Sequence, residues 1–447
     1  MQYWKPDAPN EFAGDMMPFW DGERFHLFYL LDRDHHAEQG GLGSHQWAHA
    51  STLDLVQWQH HPLALPVGEP DSVDQHGICT GSIFEAAHAY HAFYATRIKH
   101  EDGSVFEAVC RAQSDDLIHF EKSPKNPMFG APGGLNPGAH RDPHVFVGSD
   151  GAYHMLVTSL LQGEGEHGLL AHYISDDLDK WRYQGPFLPI EGPTPECPEH
   201  FGWNGWYYLV YSQHGELQYW ISRDSLGPWQ QAQRSTIEGS SLFVPRTTEF
   251  NGRRIAVGFL PWRGDSCDEG GWAYAGNVIF RELLQDEDGT LFTRFVPEMM
   301  PATSGARREA NRVLEANQTS QFSDVPLDCT ITLRLVPEAG AREFGLLLRA
   351  DQEASQGYRL LIEPEQKRVS LRRWPDELNV RAEALQVEGL EQAAELTICI
   401  QGSVIDVCIN ERRTLVARCF DFKGTRLELF ASDGAVGVEG LSIAALR

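Results

Sequence analysis

A repeated unit governs the first two-thirds of this chain. Candidate strands occur at Phe25-His-Leu-Phe-Tyr-Leu30, Tyr90-His-Ala-Phe-Tyr-Ala95, Tyr153-His-Met-Leu-Val-Thr158, Trp206-Tyr-Tyr-Leu-Val-Tyr211 and Arg254-Ile-Ala-Val-Gly-Phe259, most of them after a turn containing Gly22, Gly151, Gly205 or Gly252. Four are followed by a second strand and a tail of the form Asp-Leu-x-x-aromatic. The tails are Asp54 to Trp58, Asp116 to Phe120, Asp177 to Trp181 and, more loosely, Asp224 to Trp229. The period is irregular, roughly 50–65 residues, which suits propeller blades. Helical periodicity is nearly absent and turn signals are frequent, so the class is all-β. Five four-stranded blades around a central channel fit the length of this region. A two-sheet sandwich is the competing arrangement, but it gives no reason for four tails of matching chemistry at matching offsets.

The repeat also predicts a site. Polar residues precede each first strand at similar distances: Asp15, Gly81-Ser82, Asp142, Glu196 and Arg246-Thr247. Equivalent positions at the start of each propeller blade converge on the axis. Two aspartates, a glutamate, a serine and an arginine are therefore expected to face one another at one end of the channel. A single Asp near a turn is usually structural. The shared repeat phase is what raises Asp15, Asp142 and Glu196 above that expectation.

Beyond the repeat the pattern changes. Residues 296–318, with Pro297, Pro301 and Ser304-Gly305, have the character of a linker. Long alternating strands follow, among them Cys329 to Leu335, Phe344 to Arg349, Leu396 to Ile400 and Val404 to Ile409. Apolar-in, polar-out alternation reads as an antiparallel β-sandwich. The expected domains are a propeller over 1–295 and a C-terminal sandwich over 319–447. No convergent catalytic set is found in the sandwich. It is expected to support the propeller, or to contact substrate or a second subunit, which is compatible with a homodimer.

Composition excludes several partners. The net charge of −26 repels a phosphate backbone, so neither nucleic acid nor an anionic membrane is expected as a partner. The first residues carry neither a basic nor an apolar leader pattern, and no apolar run approaches the roughly 18 residues of a membrane span. The eight cysteines are scattered without a CxxC pair, as in a reducing compartment. These features predict a cytoplasmic protein. The histidines cluster at His35-His36, His45, His49 and His60-His61, but none shows the spacing of a zinc motif, and no metal is expected.

Three carboxyl groups in one cleft suggest hydrolysis of a glycosidic bond, with one protonating the leaving oxygen and another attacking the anomeric carbon or activating water. Repulsion and burial push their pKa values apart, which keeps one protonated near neutrality. Arg141, beside Asp142, suits holding a carboxylate or a sugar hydroxyl.

Several motifs carry a resemblance. Trp47-Ala-His49, Cys79-Thr-Gly-Ser82, His140-Arg-Asp-Pro143, Pro195-Glu-Cys-Pro198 and Gly276 to Leu283 resemble, in this order along the chain, segments of the β-fructofuranosidases of glycoside hydrolase family 32. The resemblance implies a five-bladed propeller with a sandwich, and a retaining double displacement. Asp15 would be the nucleophile, Glu196 the general acid/base and Asp142 the stabiliser of the transition state. Trp47, Ser82 and Arg141 would line the terminal-sugar subsite. No metal or organic cofactor is implied, and the partner is a small carbohydrate. The first motif departs from the family: Gly14-Asp-Met-Met-Pro18 stands in place of Asn-Asp-Pro-Asn-Gly. A Gln expected after the first strand is also absent, and Asp32 or a histidine of His35-His36 is placed to take over its contact. Two alternatives follow: an arabinofuranosidase-like, inverting hydrolase of another furanoside, and a non-catalytic carbohydrate-binding propeller.

Overall fold

The computed structural model describes residues 2–35, 45–163, 167–188 and 190–447. The repeat is realised as five blades of four antiparallel strands, the second with a short fifth strand, Phe129–Gly130. Their innermost strands are Glu11–Trp20, Ile78–Ala86, Leu135–Val147, Glu196–Trp203 and Phe243–Phe250. The ring closes where Ala13 of the first blade pairs with Gly276 of the fifth. The N-terminal segment reinforces that seam, Tyr3 N–H donating to Val278 O at 2.9 Å and Val278 N–H to Trp4 O at 2.8 Å.

The Asp-Leu-x-x-aromatic tails are turns. Asp54 accepts from the backbone N–H groups of Val56 and Gln57, Asp116 from Ile118 and His119, and Asp177 from Asp179 and Lys180. The carboxylate thus replaces the hydrogen bonds that the ladder gives up at the blade edge. The following leucines, Leu55, Leu117 and Leu178, take left-handed φ values of 61°, 62° and 62° and are buried. Trp58 and Trp181 close the turn by donating their indole N–H to Leu55 O and Leu178 O. One local solution, used three times, explains the repeat seen in the sequence.

The propeller's apolar residues collect between blades. Met17, Phe28, Trp47, Tyr94 and Cys110 pack blade one on blade two, and Phe93, Val145, Met155 and Tyr173 pack blade two on blade three. The C-terminal region is a sandwich of two antiparallel sheets around one continuous core that includes Ile331, Leu346, Leu360, Ile398 and Ile405. Residues 296–318, expected to be a linker, carry two strands, Thr303–Arg308 and Arg312–Leu314. Both pair with the last strand, Val436–Leu446, so this stretch is largely sandwich edge. The sandwich is joined to the propeller by a fully buried ion pair, Arg281 to Asp406 at 2.7 Å, with Glu238 and Tyr3 completing the hydrogen bonds. Buried charges of this kind are tolerated only when fully paired.

Candidate active site

Every innermost strand breaks its ladder at the same level. Register shifts fall between Gly14 and Met16, Ile78 and Gly81, Arg141 and His144, Glu196 and Glu199, and Phe243 and Arg246. A bulge re-aims the side chains beside it. Here five bulges turn Asp15, Thr80, Asp142, Cys197 and Val244 to a common cavity of about 270 Å³. In blades three to five the bulge is an Xaa-Pro step whose first residue is left-handed: Asp142 at φ 58°, Cys197 at 51° and Val244 at 39°. Such conformations cost about 1–3 kcal/mol each and persist only where the surroundings impose them.

Asp15, Asp142, Glu196 and Arg141, all expected from the sequence, line this cavity together. Thr80 Oγ1 donates a short hydrogen bond to Asp15 Oδ2. Cys197 N–H donates to Asp142 Oδ2 at 3.0 Å, which fixes that carboxylate from the neighbouring blade. Arg141 Nη2 donates to Glu196 Oε1 at 2.7 Å, and its Nη1 reaches buried Glu107 at 3.3 Å. Glu107 also accepts from Arg97 Nε at 3.1 Å and from His140 N–H at 2.9 Å. The Glu196 side chain meets solvent on one side, 46% exposed, while protein atoms crowd the rest. Burial pushes its carboxyl above the ordinary range, Arg141 opposes this, and the charges of Asp142 and Asp15 add to the rise. Burial, followed by Asp142 and Asp15, also raises the Cys197 thiol well above its usual value, so it stays protonated and fills space beside the acid.

Four expected residues sit elsewhere. Trp47 is fully buried between blades one and two, its indole N–H donating to Cys79 O at 2.9 Å, so it supports the bulge from behind. Ser82 lies beyond the bulge and donates to Pro143 O at 2.8 Å, tying blade two to blade three. Arg246 lies beyond its own bulge and binds Gly81 O across the axis, buried. For Ser82 and Arg246 the inserted residue moves the repeat phase, so residues placed by counting fall behind the wall; Trp47, expected from the family resemblance, lies on strand Gln46–Thr52, whose pairing is regular. Asp32 is fully buried and meets His45 Nε2 at 2.8 Å; His45, not Asp32, faces the cavity. His35 lies 2.7 Å from Tyr274 O and does not line the cavity; His36 lies outside the described residues.

The cavity-wall residues that sequence reasoning missed include Thr80, His45, Phe243, Phe259 and Tyr274. The Xaa-Pro steps held a signal: aligning Val244-Pro245 with Asp142-Pro143 and Cys197-Pro198 places Phe243 and Val244 at the cavity in blade five. Tyr274 has no such marker. Its ring lies against Gly14, where an added Cβ would meet it at 2.6 Å, so the glycine before Asp15 is required by close approach. Burial and then the charge of Asp15 hold its phenol well above the usual value.

Carboxyl groups brought together on the axis of a five-bladed propeller fit a glycoside hydrolase, an enzyme that cleaves O-glycosyl bonds. Residues 9–283 match the glycosyl hydrolases family 32 N-terminal domain and residues 301–445 its C-terminal domain, and the chain belongs to this family. It is 25% identical over 441 residues to sucrose-6-phosphate hydrolase of Escherichia coli, covering 93% of this chain and 88% of that protein. It is 23% identical to raffinose invertase of Escherichia coli, covering 92% and 87%. Among solved structures, fructan 1-exohydrolase IIa from Cichorium intybus superposes with a TM-score of 0.79 at 16% identity, covering 100% of this chain and 97% of that one. That likeness carries the fold.

Proposed function

We propose that this protein releases a terminal fructofuranosyl unit from sucrose and short fructo-oligosaccharides with retention of anomeric configuration. The observation that carries the reading is the gathering of Asp15, Asp142 and Glu196 in one cavity sized for about one sugar residue, with the pKa of Glu196 raised. Glu196 protonates the leaving oxygen while Asp15 attacks the anomeric carbon, giving a fructosyl-enzyme. Glu196, now a carboxylate, deprotonates water, which displaces Asp15. Asp142, fixed by the Cys197 N–H, binds sugar hydroxyls and supports the positive charge that develops. The names of the bacterial relatives point to sucrose 6-phosphate and to raffinose. Both arginines of the described cavity wall, Arg97 and Arg141, are held by Glu107, which favours the unphosphorylated sugar.

The test is fructose release from sucrose, sucrose 6-phosphate, 1-kestose, inulin and an arabinofuranoside. Asp15→Asn is expected to lower kcat by about 10⁴-fold or more with the fold intact. Arabinose release in place of fructose would reassign the substrate. Sugar binding without turnover would make the chain a binding propeller.

A further inference from the structure

The sandwich touches the cavity wall at several points, Arg418 donating to Leu260 O at 2.8 Å beside Phe259, and it grips one hairpin of that wall at its tip. Strands Arg253–Arg263 and Trp272–Gln285 of blade five contribute Phe259 and Tyr274 to the cavity, and the hairpin between them ends at Asp268. Asp268 is 1% exposed, and the sandwich surrounds it. The Tyr358 hydroxyl donates to Asp268 Oδ2 at 2.7 Å, and Phe420 N–H donates to Oδ1 at 2.8 Å. Arg381 donates to the Asp268 carbonyl at 2.8 Å, and Asp268 N–H donates to Asp421 Oδ1 at 3.0 Å. Both backbone polar groups and both carboxylate oxygens of one tip residue are thus bonded to the other domain.

The grip continues inward. The Asp268 carbonyl also accepts from Arg263 at 3.1 Å, and the Arg263 guanidinium lies 3.7 Å over the Trp272 ring. Trp272 lies 5.8 Å from Phe243, Phe243 lies 5.8 Å from Phe259, and Phe259 lies 5.5 Å from Tyr274, ring to ring. The last three line the cavity, and Tyr274 packs on Gly14 beside Asp15. A continuous aromatic wall therefore runs from Asp15 to a hairpin that the sandwich holds. A buried carboxylate persists only when its partners satisfy it, so these hydrogen bonds fix the position of the hairpin tip, as the buried Arg281–Asp406 pair fixes the junction elsewhere.

We propose that the sandwich sets the shape of the catalytic cavity through this pin, with Asp268 and Tyr358 as positioning residues for the Phe243–Phe259–Tyr274 wall. The inference rests on the cavity around Asp15 being the site of reaction. Loss of the pin lets the wall shift against the bound sugar, and sub-ångström misplacement of a reacting group costs rate.

The experiment uses the full chain with Asp268→Asn, Tyr358→Phe and, in combination with each, Tyr274→Phe. Tyr358→Phe is the milder change, should Asp268→Asn fold poorly. Sucrose kcat and KM per folded molecule are measured together with amide exchange along residues 259–263 and 272–276. The expected result is a loss of about tenfold in kcat/KM for each pin variant, faster exchange in both segments, and a pin–Tyr274 double variant that loses less than the product of the singles. Lower Tm with unchanged kcat, KM and exchange in those segments, and with losses that multiply, would overturn the proposal. If the parent protein releases no fructose, the functional reading fails separately, and the exchange result alone decides this one.

Discussion

The two domains are both antiparallel β structure, yet they place their apolar and polar residues in opposite ways. The sandwich buries one continuous aliphatic core at its centre. The propeller divides its core into seams between blades and turns charged groups to its centre. A strand can do either, because alternation only decides which residues share a face. The difference arises from the bulges: each inner strand of the propeller is broken at the level where a side chain faces the axis. Regular pairing gives stability, and interrupted pairing gives a site.

Substitutions should therefore separate the domains by readout. Glu196→Gln removes the proton donor and is expected to lower kcat on sucrose by about 10²–10⁴-fold. It should also remove the alkaline limb of the kcat/KM profile. Glu196 is raised, so the parent enzyme keeps its acid protonated to a pH above the ordinary carboxylate range and loses activity as pH climbs through that value. In the sandwich core away from the Asp268–Tyr358 contact, Ile331→Ala should cost about 2–5 kcal/mol by denaturant titration, while kcat per folded molecule stays at the parent value. A matching loss of kcat there would erase the distinction between the domains.

Acid sharpens the comparison from the propeller side. Burial holds His49 down to about 2 and His172 to about 4, within His26–His49 and His154–His172 contacts of 2.9 and 2.7 Å. The folded form keeps these rings neutral while the unfolded chain protonates them below about 6.5. Unfolding therefore takes up protons, and stability falls as pH drops below about 6.5, by up to about 1.4 kcal/mol per pH unit for each ring. Thermal melts from pH 7 to 5 should show this slope, and His49→Phe should reduce it. Last in size, Ser82→Ala leaves Pro143 O without its partner and should cost about 1–3 kcal/mol, leaving KM for sucrose unchanged. A raised KM would return Ser82 to the sugar site.

The fold was legible because the tails repeat. An Asp that caps a turn, a Leu that tolerates the left-handed region behind it and an aromatic that closes it leave the same letters in successive blades. The carboxylates were legible through repeat phase and their flanking motifs. Ser82 and Arg246 were misplaced because a bulge adds a residue without any change in composition, and one residue moves a side chain to the other face of a strand; Trp47, expected from motif resemblance alone, sits on a regular strand and faces the seam between blades. Tyr274 and His45 were illegible for a different reason. Tyr274 reaches the cavity from the second half of a long hairpin, and His45 from just ahead of strand Gln46–Thr52; no repeat marks either position.

The most direct measurement is sucrose turnover in water containing methanol, with the products resolved by NMR. A carboxylate nucleophile at Asp15 predicts methyl β-fructofuranoside alongside fructose, since methanol and water compete for one fructosyl-enzyme, and neither product from Asp15→Asn. Fructose without any methyl fructoside, or a methyl α-fructofuranoside, would contradict the double displacement and remove Asp15 from the role of nucleophile.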